Sequence, residues 1–369
     1  MTYTFLEPYT FKNGVTAKNR IVIPPMTEGS ALYDGTVSQD ELNFFAKRAG
    51  DAGIFISPVA YVTENGKGFA GQLSITDDKY LSRLSEMAQA MKKGGSLAIL
   101  QIFHAGRRAF VAPEKLEGAS AIASGIPGSQ TPRELTGEEV EDIIKAFGEA
   151  TRRAIQAGFD GVEIHGANHY LIHQFFSAKS NQRTDKWGQE RSRFGLAIIE
   201  ACRKAIQEAG ASQFLLGYRF SPQEKGEKGF HLKDTLAFVN QLADAEIDYL
   251  HLSQDDVWDV PNDEPAGSDN VVKQVLATIN QRKPLIIVGG ISTPQEAQEA
   301  KETGAEFVAL GMQYLREPQW VAKVEAGQED RIRYTMPDEA AAREVGINPF
   351  MYRYMQEDLG KPITQAPKQ

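Results

Sequence analysis

Eight times along the chain, a short run rich in β-branched residues is followed by a segment of helical period, and that alternation admits few architectures. The runs are "IVIPPM" (21–26), "GIFISPVAY" (53–61), "LAILQIFH" (97–104), "GVEIHG" (161–166), "FLLGYRF" (214–220), "DYLHLS" (248–253), "PLIIVGG" (284–290) and "FVALGM" (307–312). Strand–helix repeats lay successive strands parallel, and eight of them predict a closed (β/α)8 TIM barrel of the α/β class. The linking segments carry helix punctuation. Thr136 precedes a helical run with Glu139 three residues on and Gly158 at its end, while Thr293, Pro294 and Gly304 repeat the plan. Ahead of the first strand, "YTFLEPYTFKNGVTAKNR" reads as a hairpin turning at Asn13-Gly14 and covering the barrel floor. The barrel with this hairpin is expected over residues 1–328. A C-terminal extension over 329–369 would pack on the barrel or on a neighbouring subunit of a homo-oligomer. The stretch 105–135 is too long and too rich in Gly, Pro and Ser for a tight connection, so it is expected near the working face.

Charge narrows the partners. A formal net charge of -9 argues against nucleic acid or an anionic membrane, both of which call for a basic surface, and leaves a small molecule. The single cysteine, Cys202, cannot close an internal disulfide and reads as a buried structural thiol. The N-terminal residues form neither a basic leader nor an apolar run, and no later stretch is long and apolar enough to span a bilayer, so a cytoplasmic protein is expected.

In a barrel of this kind the strand C-termini build the active face. Here they are polar: Pro25-Met26-Thr27, Gln101 and His104, His165, Arg219, Ser253, Gly289-Gly290 and Gly311. The glycines closing strands seven and eight suit a phosphate held on bare backbone N–H groups, so a phosphorylated cofactor or substrate is expected. Arg219 is flanked by Tyr218 and Phe220, which share the opposite strand face, and therefore points inward if those aromatics pack under helices. Gln101, inward by the same alternation, offers both a donor and an acceptor.

"EIHGANHYLIHQF" (163–175) holds three of the six histidines, His165, His169 and His173, at a spacing that invites a metal. Gly166 ends the strand, however, so no continuous helical face joins them, and Glu163 belongs to the strand; no metal is expected. His165, Asn168 and Tyr170 group better, as two donors for a carbonyl oxygen and a phenol that delivers a proton. The competing reading is one satisfied histidine and a packing tyrosine.

With "KNRIVIPPM", "QIFHAGRR", "AGFDGVEIHGANHYLIHQFFSAKSNQRTDKWG" and "GAEFVALGMQYLREP" in view, the chain resembles the old yellow enzyme family of flavin-dependent ene-reductases over roughly residues 6–318. The resemblance implies FMN as cofactor and NADH or NADPH as hydride donor. It places Pro24, Pro25, Met26 and Thr27 along one side of the flavin, Val59 at the same edge, Gln101 at the pyrimidine part and Arg219 at N1 and O2. The backbone of Gly289, Gly290, Gly311 and Met312 would receive the phosphate. His165 and Asn168 would hold the carbonyl or nitro oxygen of an activated alkene, His165 lying against the flavin as well, and Tyr170 would protonate it. Met312 stands where many relatives have an arginine, and His169 where glycine is frequent. Other functions remain open at this stage: a lyase or isomerase barrel using the same phosphate site, and a flavin-binding protein without catalysis.

Overall fold

The computed structural model describes residues 3–111, 116–264 and 268–358. Parts of the long loop (112–115), of the 254–270 loop (265–267) and of the tail (359–369) lie outside the described residues.

All eight expected strands form. They are β1 (Ile21–Ile23), β2 (Ile54–Tyr61), β3 (Leu97–Phe103), β4 (Gly161–Gly166), β5 (Leu215–Phe220), β6 (Tyr249–Leu252), β7 (Leu285–Val288) and β8 (Phe307–Ala309). Each pairs in parallel with its sequence neighbours, and the pairing of β8 with β1 and of β1 with β2 closes the barrel. Several strands are shorter than their sequence runs. β1 stops at Ile23 because Pro24 and Pro25 have no N–H to give a ladder, and Gly311 opens a helix instead of ending β8.

The helices on the outer ring include α1 (Gln39–Arg48), α2 (Leu81–Lys92), α3 (Gly137–Gln156), α4 (Leu171–Phe176), α5 (Arg193–Glu208), α6 (Leu232–Asp244), α7 (Val271–Ile279), α8 (Pro294–Glu302) and α9 (Gly311–Arg316). The expected caps are made. Thr136 Oγ1 accepts from Glu139 N at 3.2 Å while Glu139 Oε2 accepts from Thr136 N at 2.8 Å, and Thr293 and Glu296 repeat the exchange ahead of Pro294. Each reciprocal pair satisfies two N–H groups that a helix start leaves orphaned.

Two cores follow from strand alternation. Outward residues such as Val162, Ile164, Leu216 and Tyr218 pack against the helices, with Cys202 of α5 buried among them. Burial raises the Cys202 thiol to about 12, so it is inert packing. Inside the barrel, Val22, Ile54, Ile56, Ile99, Leu215, Tyr249, Ile286 and Phe307 fill the lower half. The N-terminal hairpin, Tyr9–Thr10 paired with Thr16–Ala17, seals that end. Its Phe11 stacks on Phe307 at 5.6 Å between ring centroids. Burying such a ring contributes about 1.5–3 kcal/mol, and the apolar floor leaves polar chemistry to the opposite end.

The C-terminal extension packs on its own barrel over the described part. Met336, Ala342, Ile347, Met351 and Met355 join the outer core, Arg48 Nη1 donates to Val345 O at 3.0 Å, and Asn348 Nδ2 donates to Ser30 Oγ at 2.8 Å. Among the described residues no helix is long and apolar enough to cross a membrane.

Candidate active site

Above the apolar floor the interior turns polar. Gln101 on β3, Glu163 on β4 and His251 on β6 form a fully buried chain: Gln101 Nε2 donates to Glu163 Oε1 at 2.6 Å, and His251 Nδ1 lies 2.9 Å from Glu163 Oε2. Arg219 on β5 sits in register between His165 and His251, and its flanking Tyr218 packs outward on Phe238 of α6. The inward arginine read from the flanking aromatics is therefore present. Burial alone would raise the Glu163 carboxyl, but His251, Arg219 and Gln101 hold it below the ordinary range, so it stays ionised. Its charge compensates that of Arg219, whose own pKa burial lowers.

The ladder also explains Gln101. β2 carries a register shift between Ile56 and Val59, next to Pro58, and Ser57 Oγ accepts from Gln101 N at 3.1 Å. The irregularity lets a proline sit in a strand and sets Val59 opposite Gln101. With its NH2 group taken by Glu163, Gln101 presents its oxygen to a ligand.

The β4 terminus delivers the second group. His165 is buried, and its Nδ1 has no hydrogen-bond partner. Burial, Arg219, His251 and His173 all lower its pKa, leaving a neutral imidazole. Asn168 adopts a left-handed backbone with φ 59°, and its Oδ1 accepts from Ser253 Oγ at 3.1 Å. That bond leaves the carboxamide NH2 as the end available to a ligand. Tyr170 packs edge-on to Phe103 at 4.8 Å and lies 5.3 Å from the His165 ring. Burial raises its phenol pKa, with Arg108 opposing, so it is a protonated donor at neutral pH. Gln174 fixes the loop: its Nε2 donates to His169 O at 2.8 Å and Ala105 O at 3.0 Å, and its Oε1 accepts from Arg107 N at 3.1 Å.

The third group is glycine-lined. Gly289 and Gly290 have φ of 133° and 71°. A Cβ on Gly289 would stand 2.7 Å from the backbone of Asp255 and Asp256. Val288 pairs with Ala309, so Gly311 follows on the adjacent strand. There it lies against Pro24 and Met26, 3.5 and 3.6 Å from its Cβ position. Gly311 and Met312 open α9, where N–H groups have no intrahelical acceptor, and the Met312 side chain packs on the outer core. Gly289→Ala should combine a disfavoured φ with a backbone clash and lower stability by about 1–3 kcal/mol. Thermal denaturation reads this directly, and an unchanged midpoint would mean that the 255–256 segment yields freely.

The structure thus joins His165 to Tyr170 and Arg219, and Pro24 and Met26 to Gly311, around one mouth. Sequence reasoning passed over His251, Ser253 as the Asn168 partner, Gln174 and Glu224. The alternation Tyr249-His251-Ser253 in "DYLHLS" was a signal for the first two; Gln174 of α4 and Glu224 of the loop after β5 left none. A planar, electron-poor ring with acceptor oxygens and a phosphate tail fits these groups. The unpartnered Arg219 Nε is buried at this end of the barrel, where such a ring would lie, and the glycine backbone can approach a phosphate closely.

Comparison with known proteins bears on this fit. The family model described as NADH:flavin oxidoreductase / NADH oxidase matches residues 4–331. A probable NADH-dependent flavin oxidoreductase of Bacillus subtilis (strain 168) is 44% identical over 336 residues, which cover 88% of this chain and 89% of that protein. An NADH:acrylate oxidoreductase of Vibrio harveyi is 41% identical over 86% of this chain, which spans only 33% of that longer protein. In three dimensions, the old yellow enzyme homologue of Zymomonas mobilis superposes with a TM-score of 0.77 at 25% identity, covering 92% of this chain and 96% of that one. Sequence likeness along the whole barrel and a shared fold lead to one assignment: the chain belongs to the NADH:flavin oxidoreductase / NADH oxidase family, the FMN- and nicotinamide-dependent oxidoreductases of the old yellow enzyme type.

Proposed function

We propose that this oxidoreductase reduces the activated C=C bond of α,β-unsaturated carbonyl or nitro compounds, with His165 and Asn168 as the substrate clamp and Tyr170 as the acid. The observation carrying the proposal is the set at the β4 terminus: a buried imidazole with an unpartnered Nδ1, a carboxamide held by its oxygen, and a phenol 5.3 Å from the imidazole ring. The acrylate activity named for the Vibrio harveyi relative agrees with C=C chemistry, although two thirds of that protein lies outside the matched part.

In this reading Pro24, Pro25, Met26, Thr27 and Val59 would line one side of FMN, Gln101 and Arg219 would meet its polar ring edge, and the backbone of Gly289, Gly290, Gly311 and Met312 would take the phosphate. FMN, when bound, would supply the hydride-transfer chemistry between the nicotinamide and the alkene. His165 and Asn168 donate to the substrate's carbonyl or nitro oxygen and hold the negative charge that gathers there. Because these bonds strengthen as the charge develops, they favour the transition state over bound substrate. Tyr170 gives its proton to the α-carbon and recovers one from solvent, so hydride and proton together saturate the double bond. An oxidoreductase assignment leaves no role for the lyase or isomerase alternative.

Phenolates imitate the charged oxygen and test the clamp. His165→Ala should weaken para-substituted phenol binding by about 1.5–3 kcal/mol, the range for a hydrogen bond to a charged group, read from the perturbed flavin absorbance in a titration. Unchanged phenol affinity would remove His165 from the clamp.

A further inference from the structure

Three ligating side chains converge beside the clamp loop and take no part in the chemistry above. His169 and His173 lie with ring centroids 4.5 Å apart, His169 ahead of α4 and His173 within it. Glu224 arrives from the loop after β5. Its Oε1 stands 3.4 Å from His169 Nδ1, and its Oε2 stands 3.9 Å from His173 Nε2. One ligand atom from each of the three residues lies within 4.8 Å of the others. With metal–ligand distances of about 2.0–2.1 Å, the ligand atoms of a tetrahedral zinc site are separated by about 3.4 Å. One pair is already at that spacing, and the others need a small closing movement.

His173 supplies the independent sign of a ligand. It is 2% exposed, and its Nε2 has no hydrogen-bond partner. The 3.9 Å gap to Glu224 is too long for a hydrogen bond. A buried polar atom left this way costs about 1–3 kcal/mol. A cation between the ring and the carboxylate would satisfy both. Ser177 Oγ donates to Glu224 Oε2, fixing the carboxylate and leaving Oε1 free to ligate. His169, with a side chain 40% exposed, gives the position a route to solvent and an open coordination site. Arg107 and Arg108 also direct charge toward Glu224, which lowers affinity for a cation without removing the donor set.

We propose that His169, His173 and Glu224 form a binding site for a borderline divalent transition-metal ion, zinc above all, with two imidazole nitrogens, one carboxylate oxygen and an open fourth position. The ion would tie the segment bearing Asn168 and Tyr170 to the loop after β5, and its presence does not depend on the alkene chemistry proposed above.

The test is zinc binding to the full-length holoenzyme after dialysis against a chelator, measured by calorimetry and by metal content. The variants are His169→Ala, which removes an exposed ring, and Glu224→Gln, which keeps the carboxylate's shape. His231→Ala is the control, because His231 forms a separate exposed pair with Asp263, Nδ1 to Oδ2 at 3.2 Å. Far-UV circular dichroism establishes that each variant is folded. The expected result is about one zinc per chain, an affinity at least about 100-fold weaker in His169→Ala and Glu224→Gln, since even outer partners of a metal site are worth about 10–100-fold, and no change in His231→Ala. Zinc should also raise the thermal midpoint of the unaltered protein and not of His169→Ala. No zinc binding by the unaltered protein, or binding indifferent to His169, overturns the proposal.

Discussion

Tyr170→Phe is expected to slow reoxidation of the reduced enzyme by an activated alkene by about 10²–10⁴-fold, the usual contribution of a positioned general acid, while reduction by the nicotinamide proceeds at its original rate. The substitution removes one hydroxyl and keeps the ring, so the edge contact with Phe103 at 4.8 Å and the approach to His165 at 5.3 Å persist. A selective effect on one half-reaction is therefore a chemical effect rather than a collapse of the mouth. Anaerobic stopped-flow measurement of the two half-reactions separates them. Equal slowing of both would assign Tyr170 a packing role, and no slowing would move the proton donor elsewhere. The pH profile adds a second readout. Burial raises the phenol pKa, so Tyr170 remains protonated below its ordinary value of about 10, and its contribution to the alkene half-reaction should be level through neutral and mildly alkaline pH.

Glu163→Ala should destabilise the fold by about 3–5 kcal/mol, the range for removing one partner of a buried ion pair. The carboxylate is fully buried, and its charge opposes the burial that lowers the Arg219 pKa. Its loss would leave the guanidinium uncompensated and strand Gln101 Nε2 and His251 Nδ1, which it now accepts from or faces at 2.6 and 2.9 Å. Urea denaturation of the purified variant measures this, and flavin retention should fall with it, because Gln101 loses the hydrogen bond that orients it and Arg219 loses the charge that compensates it. A loss below about 1 kcal/mol, the scale of an ordinary neutral hydrogen bond, would show that water enters the barrel and screens Arg219.

How much of this was legible in the sequence depends on the range over which each feature is determined. The caps at Thr136 and Thr293 were readable because the donor and the acceptor lie three residues apart and helix geometry alone brings them together. The inward Arg219 was readable because strand alternation separates it from Tyr218 and Phe220 within three residues. His169 and His173 illustrate the opposite case. Their spacing invited a metal, and the strand end at Gly166, which separates His165 and Glu163 from them, argued against one, whereas the folded chain sets Glu224 3.4 Å from His169. Gly311 was misplaced by two residues as a strand end because a run of apolar residues continues past the last ladder pair, and only the pairing of Ala309 with Val22 marks the boundary.

By itself, then, the sequence determined the eight-strand α/β barrel, its hairpin floor and the residues of its polar face, which follow from periodicity, caps and local motifs, while its longer motifs carried the resemblance to the family that the relatives then showed. Tertiary structure alone decided that Glu163 bridges Gln101 to His251 beside Arg219, that Ser253 orients Asn168, and that Glu224 meets two histidines. Those contacts depend on the register between strands and on where loops from different strands return, and neither is encoded by the spacing of residues along a single segment.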